Sequence, residues 1–201
     1  MTIAVTGPFA SGKSTLVRLL GELPNTETSS ADEIVHHLLK HDQQTISRVV
    51  ERFGEGIRDA DGIDRKALGR EVFGDAGALR DLEEILHPLV RDETDRRIEA
   101  ASDAEMFVVE IPLLFETGRD GDFDYTVAVL VPEERRRAWV GERGVDDAAL
   151  QAIESRQYAG EDKAGRADLV VQNDGDLDRL REQAEDIGRK VSQGGYDGHL
   201  R

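Results

Sequence analysis

Residues 7–15, Gly7-Pro8-Phe9-Ala10-Ser11-Gly12-Lys13-Ser14-Thr15, satisfy the spacing G-x-x-x-x-G-K-[ST], which describes a loop that wraps phosphate groups in backbone amides. The loop lies after a short apolar run and before the amphipathic stretch 16–20, as a strand–loop–helix phosphate site requires. The amides of Ala10, Ser11, Gly12, Lys13, Ser14 and Thr15 are expected to converge on a β-phosphate. A helix N-terminus favours an anion there, because its first N–H groups have no helical partner and the dipole end is positive. Lys13 then bridges the β- and γ-phosphates of a nucleoside triphosphate, and the Ser14 hydroxyl holds Mg²⁺.

A phosphate loop does not by itself separate transfer to an acceptor from hydrolysis. Asp32 is the best candidate for a group that orients an acceptor hydroxyl, since it follows the place expected for a second strand, beside the phosphate loop. The alternative is that Asp32 and Glu33 merely complement the dipole of a helix start. Glu110 closes the apolar run Met106-Phe107-Val108-Val109. Such an acidic strand end serves either as a partner for Mg²⁺ or as one half of an ordinary ion pair. Arg135, Arg136, Arg137, Arg143, Arg156 and Arg166 crowd one charged stretch. Most of them are solvated charges by this reading, and one or two deliver a guanidinium to the transferring phosphoryl oxygens. His87, before Pro88, is either a helix-capping core histidine or a substrate contact.

These groups need a scaffold, and the pattern is that of a parallel sheet covered by helices. Apolar, β-branched runs at 2–6, 106–111, 125–131 and 168–172 alternate with segments of helical period. Their nearly unbroken hydrophobicity suits strands buried on both faces. The polar segment 25–30 reads as a weak or edge strand. From 31 to 101 no strand signal occurs, and apolar residues recur near every 3.6 positions, which predicts a helical insertion. Asp61-Gly62 and Gly74-Asp75 supply its turns, and a new helix is expected to begin at Pro88. A second helical stretch, charged and poor in large apolar side chains, runs from Glu133 to about Ala167 and suits a lid. Asp176 is a suitable N-cap for a last helix.

The 201 residues carry 42 acidic against 26 basic side chains, a net charge of −16. This balance opposes non-specific binding to nucleic acid or to an anionic membrane. Only five of the basic residues are lysines, a bias that fits GC-rich coding or adaptation to a salty cytoplasm. There is no cysteine, so disulfides, thiolate metal sites and cysteine nucleophiles are excluded. No run approaches the ~20 apolar residues that span a bilayer. The expectation is a soluble cytoplasmic protein, monomeric or weakly homo-oligomeric.

Together these segments resemble dephospho-coenzyme A kinases from Ile3 to about Leu180. The resemblance rests on the phosphate loop, Ala31-Asp32-Glu33-Ile34, Arg52-Phe53-Gly54, Asp61-Gly62 with Asp64-Arg65, Leu86-His87-Pro88-Leu89, Ile111-Pro112-Leu113-Leu114-Phe115-Glu116, and Arg166-Ala167-Asp168 with Asn173-Asp174-Gly175. It implies an α/β, three-layer P-loop NTPase fold with a five-stranded parallel sheet, a helical substrate-binding insertion and a helical lid. In domain terms, one kinase domain fills 1–201, with its core at 1–33, 102–132 and 166–193. An acceptor-binding lobe occupies about 34–101, a lid about 133–165, and a disordered tail 194–201. The implied cosubstrates are ATP with Mg²⁺ and dephospho-coenzyme A, whose ribose 3′-hydroxyl accepts the phosphate. Asp32 matches the family's catalytic aspartate, and Arg137 and Arg143 fall where it carries a phosphate-binding arginine. His87, Leu114, Phe115, Glu116 and Arg65 are implied on the acceptor side. Asn173 and Gly175 are implied beside the adenine, and Ser14 and Glu110 at the metal.

Two departures stand out. Ser30 replaces the first aspartate of the family's Asp-Ala-Asp, after a polar rather than apolar strand, and Pro8-Phe9-Ala10 replaces Gly-Ile-Gly. The competing readings are a related kinase with another hydroxyl acceptor and a nucleotide-binding regulator without transfer activity.

Overall fold

The computed structural model describes residues 1–72 and 74–192, so the tail expected at 194–201 lies outside the described residues. In chain order the elements are β1 (Thr2–Thr6), α1 (Lys13–Gly21), β2 (Thr26–Ser30), α2 (Ala31–His41), α3 (Gln43–Phe53), β3 (Arg58–Asp59), β4 (Gly62–Ile63), α4 (Arg65–Val72) and α5 (Ala76–Ala100). They continue with β5 (Met106–Glu110), β6 (Tyr125–Leu130), α6 (Glu133–Glu142), α7 (Asp147–Glu154), α8 (Gly160–Arg166), β7 (Leu169–Gln172) and α9 (Leu177–Ser192). The chain divides into two compact units. One joins Met1–Ser29 to the residues from Ala101 onward, and the other is Ser30–Ala100.

The first unit is built on a five-stranded parallel sheet in the order β2-β5-β1-β6-β7. Register pairs Val5 with Glu110 on one side and with Val127 on the other, so β1, β5 and β6 end at one edge, where the phosphate loop begins. Ile3, Ala4, Val5, Val108, Val109, Val127, Ala128 and Val129 are all inaccessible to solvent, which explains why these strands lack polar alternation. Leu16, Leu19 and Leu20 of α1 and Leu180, Ala184 and Ile187 of α9 pack with Ile3, Val5, Val108 and Val127 on one face. The other face carries Thr6, which Lys163 of α8 reaches, and α8 lies along β6 there. Helices on both faces of the sheet make three layers.

β2 is the polar segment, and it sits at the sheet's edge. A strand with one neighbour needs little apolar surface, and of its five residues only Ser29 is buried.

In the second unit α2, α3 and α4 each pack on α5. Leu39, Ile46, Val49, Ile57, Ile63, Leu68 and Leu86 form its main core. Two sequence expectations fail here. The insertion is not purely helical, because β3 and β4 pair antiparallel across a turn in which the Asp59 carboxylate accepts the Asp61 N–H at 2.8 Å. Strands of two residues are too short to leave a periodic signal. Nor does a helix begin at Pro88: α5 runs unbroken for 25 residues with Pro88 inside it. Helical packing on three neighbours compensates for the one backbone hydrogen bond that proline removes.

Candidate active site

The phosphate loop leaves β1 and ends at Gly12, the N-cap of α1, with φ +91°. That left-handed conformation suits glycine, and a Cβ there would lie 2.1 Å from Asn173 Nδ2. Ala10 also adopts positive φ, +60°, an unusual conformation for a residue with a Cβ and one that concentrates at ligand sites. The Ser11 hydroxyl is buried and has no hydrogen-bond partner among the described residues. Lys13, only 6% exposed, folds over the loop and donates to the Gly7 carbonyl at 3.2 Å and the Pro8 carbonyl at 2.9 Å. Its ammonium thus lies on the loop it is expected to serve.

Ser14, on the first turn of α1, donates its hydroxyl to Glu110 Oε1 at 3.2 Å. The strand register that sets Glu110 level with Val5 creates this pair. A hydroxyl and a carboxylate at a helix N-terminus fit Mg²⁺, a hard ion that takes few protein oxygens and keeps several waters. Among the described residues no group of three or more His, Cys, Asp or Glu side chains could hold a metal by itself.

Asn173, 4% exposed, braces the loop from behind. Its Nδ2 donates to the Ser11 carbonyl at 2.9 Å, and its Oδ1 accepts the Gly175 N–H at 3.3 Å. Gly175 has φ +93°, and a Cβ on it would meet the Arg135 guanidinium, so Arg135 packs against this turn. Neither the bracing by Asn173 nor the place of Arg135 was legible in the sequence.

The arginines separate by partner. Arg136 joins α6 to α7, bonding Glu133 and Glu154; chiefly its hydrogen bond to Glu133 raises its pKa further. Arg137 pairs with Glu133 at 2.9 Å, and its side chain is 73% exposed. Arg143 instead sits over the Phe9 ring of the phosphate loop, 5.5 Å from the centroid. Gln157 Oε1 accepts the Phe9 N–H at 3.0 Å, which ties the segment after α7 to the same loop. Arg166 covers Tyr158. Burial lowers the pKa of Arg156.

After β5 the chain turns through Pro112 to Glu116. Leu114 and Phe115 are buried, so neither presents a surface to solvent here. Glu116 pairs with Lys163 at 2.8 Å and accepts the Tyr158 N–H at 2.6 Å. The sequence reading missed Lys163, because a lysine in a charged helix looks solvated.

In the second unit, Asp32 lies exposed on the first turn of α2, two residues beyond the end of β2. Arg65 opens α4 and approaches His36 Nδ1 at 3.3 Å. Both line a cleft of about 240 Å³ with Lys40, Asp61, Asp64 and Lys66. His87 is exposed in the middle of α5, so it neither caps a helix nor belongs to the core.

No helix among the described residues is long and apolar enough to cross a membrane. Residues 1–179 match the family described as Dephospho-CoA kinase. A dephospho-CoA kinase of Symbiobacterium thermophilum is 39% identical over 196 residues, 96% of this chain and 82% of the relative. A Thermus thermophilus crystal structure superposes with a TM-score of 0.78 at 30% identity, covering 94% of this chain and 97% of its own. The dephospho-CoA kinase of Campylobacter jejuni superposes with 0.65 at 25% identity, covering 96% and 98%. A phosphate loop backed by a buried strand-end carboxylate, on a five-stranded parallel sheet and with this likeness along its length, means that the chain belongs to the dephospho-CoA kinase family.

Proposed function

We propose that this protein transfers the γ-phosphoryl group of ATP to the ribose 3′-hydroxyl of dephospho-coenzyme A, giving coenzyme A and ADP in the cytoplasm. The observation that carries the reading is the Ser14–Glu110 pair at the N-terminus of α1, directly behind a loop whose lysine already lies over it. The amides from Ala10 to Thr15 bind the phosphates. Lys13 exchanges two carbonyl partners for phosphate oxygens, which are stronger acceptors because they are charged. Ser14, with Glu110 behind it, would hold Mg²⁺, which would supply positive charge to the transferring phosphate.

Asp32 takes the proton from the 3′-hydroxyl as that oxygen attacks the γ-phosphorus and the bond to the ADP oxygen breaks. Its support is its match to the family's aspartate and its position just after a strand that ends beside β5. Arg143 is the better candidate for the arginine that stabilises the equatorial oxygens, because it already contacts the phosphate loop while Arg137 is engaged with Glu133. Arg65 and His87 serve the acceptor. The polarity of β2 follows from its place at the sheet edge and does not require another acceptor.

A coupled ADP-release assay with ATP, Mg²⁺ and dephospho-coenzyme A tests the reading. Asp32→Asn should lower kcat by about 10²–10⁴-fold with ATP affinity within twofold. Full turnover in that variant removes Asp32 from the mechanism, and no turnover in the wild type refutes the substrate.

A further inference from the structure

Lys163 is a fully buried lysine that the mechanism above does not use. Its ammonium has three protons, and three oxygens meet them: the Pro112 carbonyl at 2.6 Å, Glu116 Oε1 at 2.8 Å and Thr6 Oγ1 at 3.3 Å. A buried charge survives only where it is paired and its donors are filled, and this one is. Burial pulls its pKa down while Glu116 opposes that shift.

The three acceptors come from segments that border the phosphate site. Thr6 is the last residue of β1, immediately before the phosphate loop. Pro112 lies two residues after Glu110, and Glu116 closes the loop that follows β5. Glu116 also receives the Tyr158 N–H, one residue from Gln157, whose side chain accepts the Phe9 N–H. One ammonium–carboxylate pair therefore ties the loop after β5 to the end of β1, and through Tyr158 and Gln157 to the lid's return segment and the phosphate loop. Packing of α8 against β6 alone would be met by an apolar residue.

We propose that Lys163 is a positioning residue that sets the Pro112–Glu116 loop relative to the phosphate loop, so that the acceptor is presented to the γ-phosphate. This rests on the proposed function and on the acceptor side that the family resemblance implies for Leu114, Phe115 and Glu116. Loss of the pair lets the loop shift while the amides of the phosphate loop, built on β1 and α1, stay in place. The signature is a split between the two substrates.

The test measures kcat, KM for both substrates and ATP affinity in Lys163→Met and Lys163→Gln, at a temperature where circular dichroism shows each variant folded. Lys163→Met should raise the KM for dephospho-coenzyme A at least tenfold and leave ATP affinity within twofold. Lys163→Gln, which loses the charge but keeps a donor for the Pro112 carbonyl, should raise the same KM at least threefold, and it decides the matter if the methionine variant does not fold. An acceptor KM within twofold of wild type, or equal losses for both substrates, overturns the proposal. Absence of turnover in the wild type instead overturns the substrate assignment, and the acceptor role of Lys163 with it.

Discussion

Gly12→Ala joins the backbone of the phosphate loop to the packing behind it. Gly12 has φ +91°, and holding alanine in the left-handed region costs about 1–2 kcal/mol. The new Cβ would also stand 2.1 Å from Asn173 Nδ2, so the amide must swing away. Its hydrogen bond to the buried Ser11 carbonyl, 2.9 Å long, is then lost, at about 1–3 kcal/mol for an unsatisfied buried group. The sum is roughly 2–5 kcal/mol.

Asn173→Ala alone forfeits that hydrogen bond, about 1–3 kcal/mol, together with the one its Oδ1 accepts from the Gly175 N–H. In that background alanine at position 12 has no amide to displace, and only the backbone strain of about 1–2 kcal/mol remains. The double-mutant cycle should therefore show non-additivity of about 1–3 kcal/mol. Urea unfolding of the four proteins, followed by far-ultraviolet circular dichroism, reads it. Equal costs for Gly12→Ala in both backgrounds would refute the argument, and a single-variant cost below about 1 kcal/mol would show that the loop relaxes freely.

Arg143→Ala should lower kcat by about 10²-fold or more if its guanidinium meets the transferring phosphoryl group, whereas Arg137→Ala should stay within threefold; initial rates at saturating ATP and acceptor distinguish them, and the reverse order would transfer the role to Arg137. Asp42 caps α3, and hydrogen bonds from the Thr45 side chain and then its backbone N–H hold its carboxyl below the ordinary range. A depressed folded pKa means that its stabilisation is complete above the unfolded value and is lost as pH falls through the folded one. Asp42→Ala should cost about 1 kcal/mol at pH 7, and its deficit against wild type should shrink in urea melts at about pH 3.

Much of the fold was readable because its causes are local. The runs at 2–6, 106–111, 125–131 and 168–172 became β1, β5, β6 and β7 with ends shifted by at most one residue. A strand buried on both faces must be apolar throughout, and that requirement is written in consecutive residues. Asp176 was legible for the same reason, its carboxylate accepting the N–H groups of Asp178 and Arg179 two and three positions on. The hairpin of β3 and β4 was not, since two residues carry no period. The continuity of α5 through Pro88 was also hidden, because packing by α2, α3 and α4 overrides a local preference.

By itself the sequence determined the strand, loop and helix start that are proposed to bind phosphates. The amides, Lys13 and Ser14 occupy adjacent positions, and a strand followed by a helix brings them together without help from distant residues. Only the tertiary structure decided what surrounds them. Ser14 meets Glu110 across 96 positions, Asn173 braces Ser11 across 162, and Lys163 reaches Thr6 across 157. The parallel register of the sheet makes these contacts by setting strand ends side by side. A buried lysine and a solvated one read alike in the chain, and burial, a property of the packed whole, distinguishes Lys163 from its neighbours.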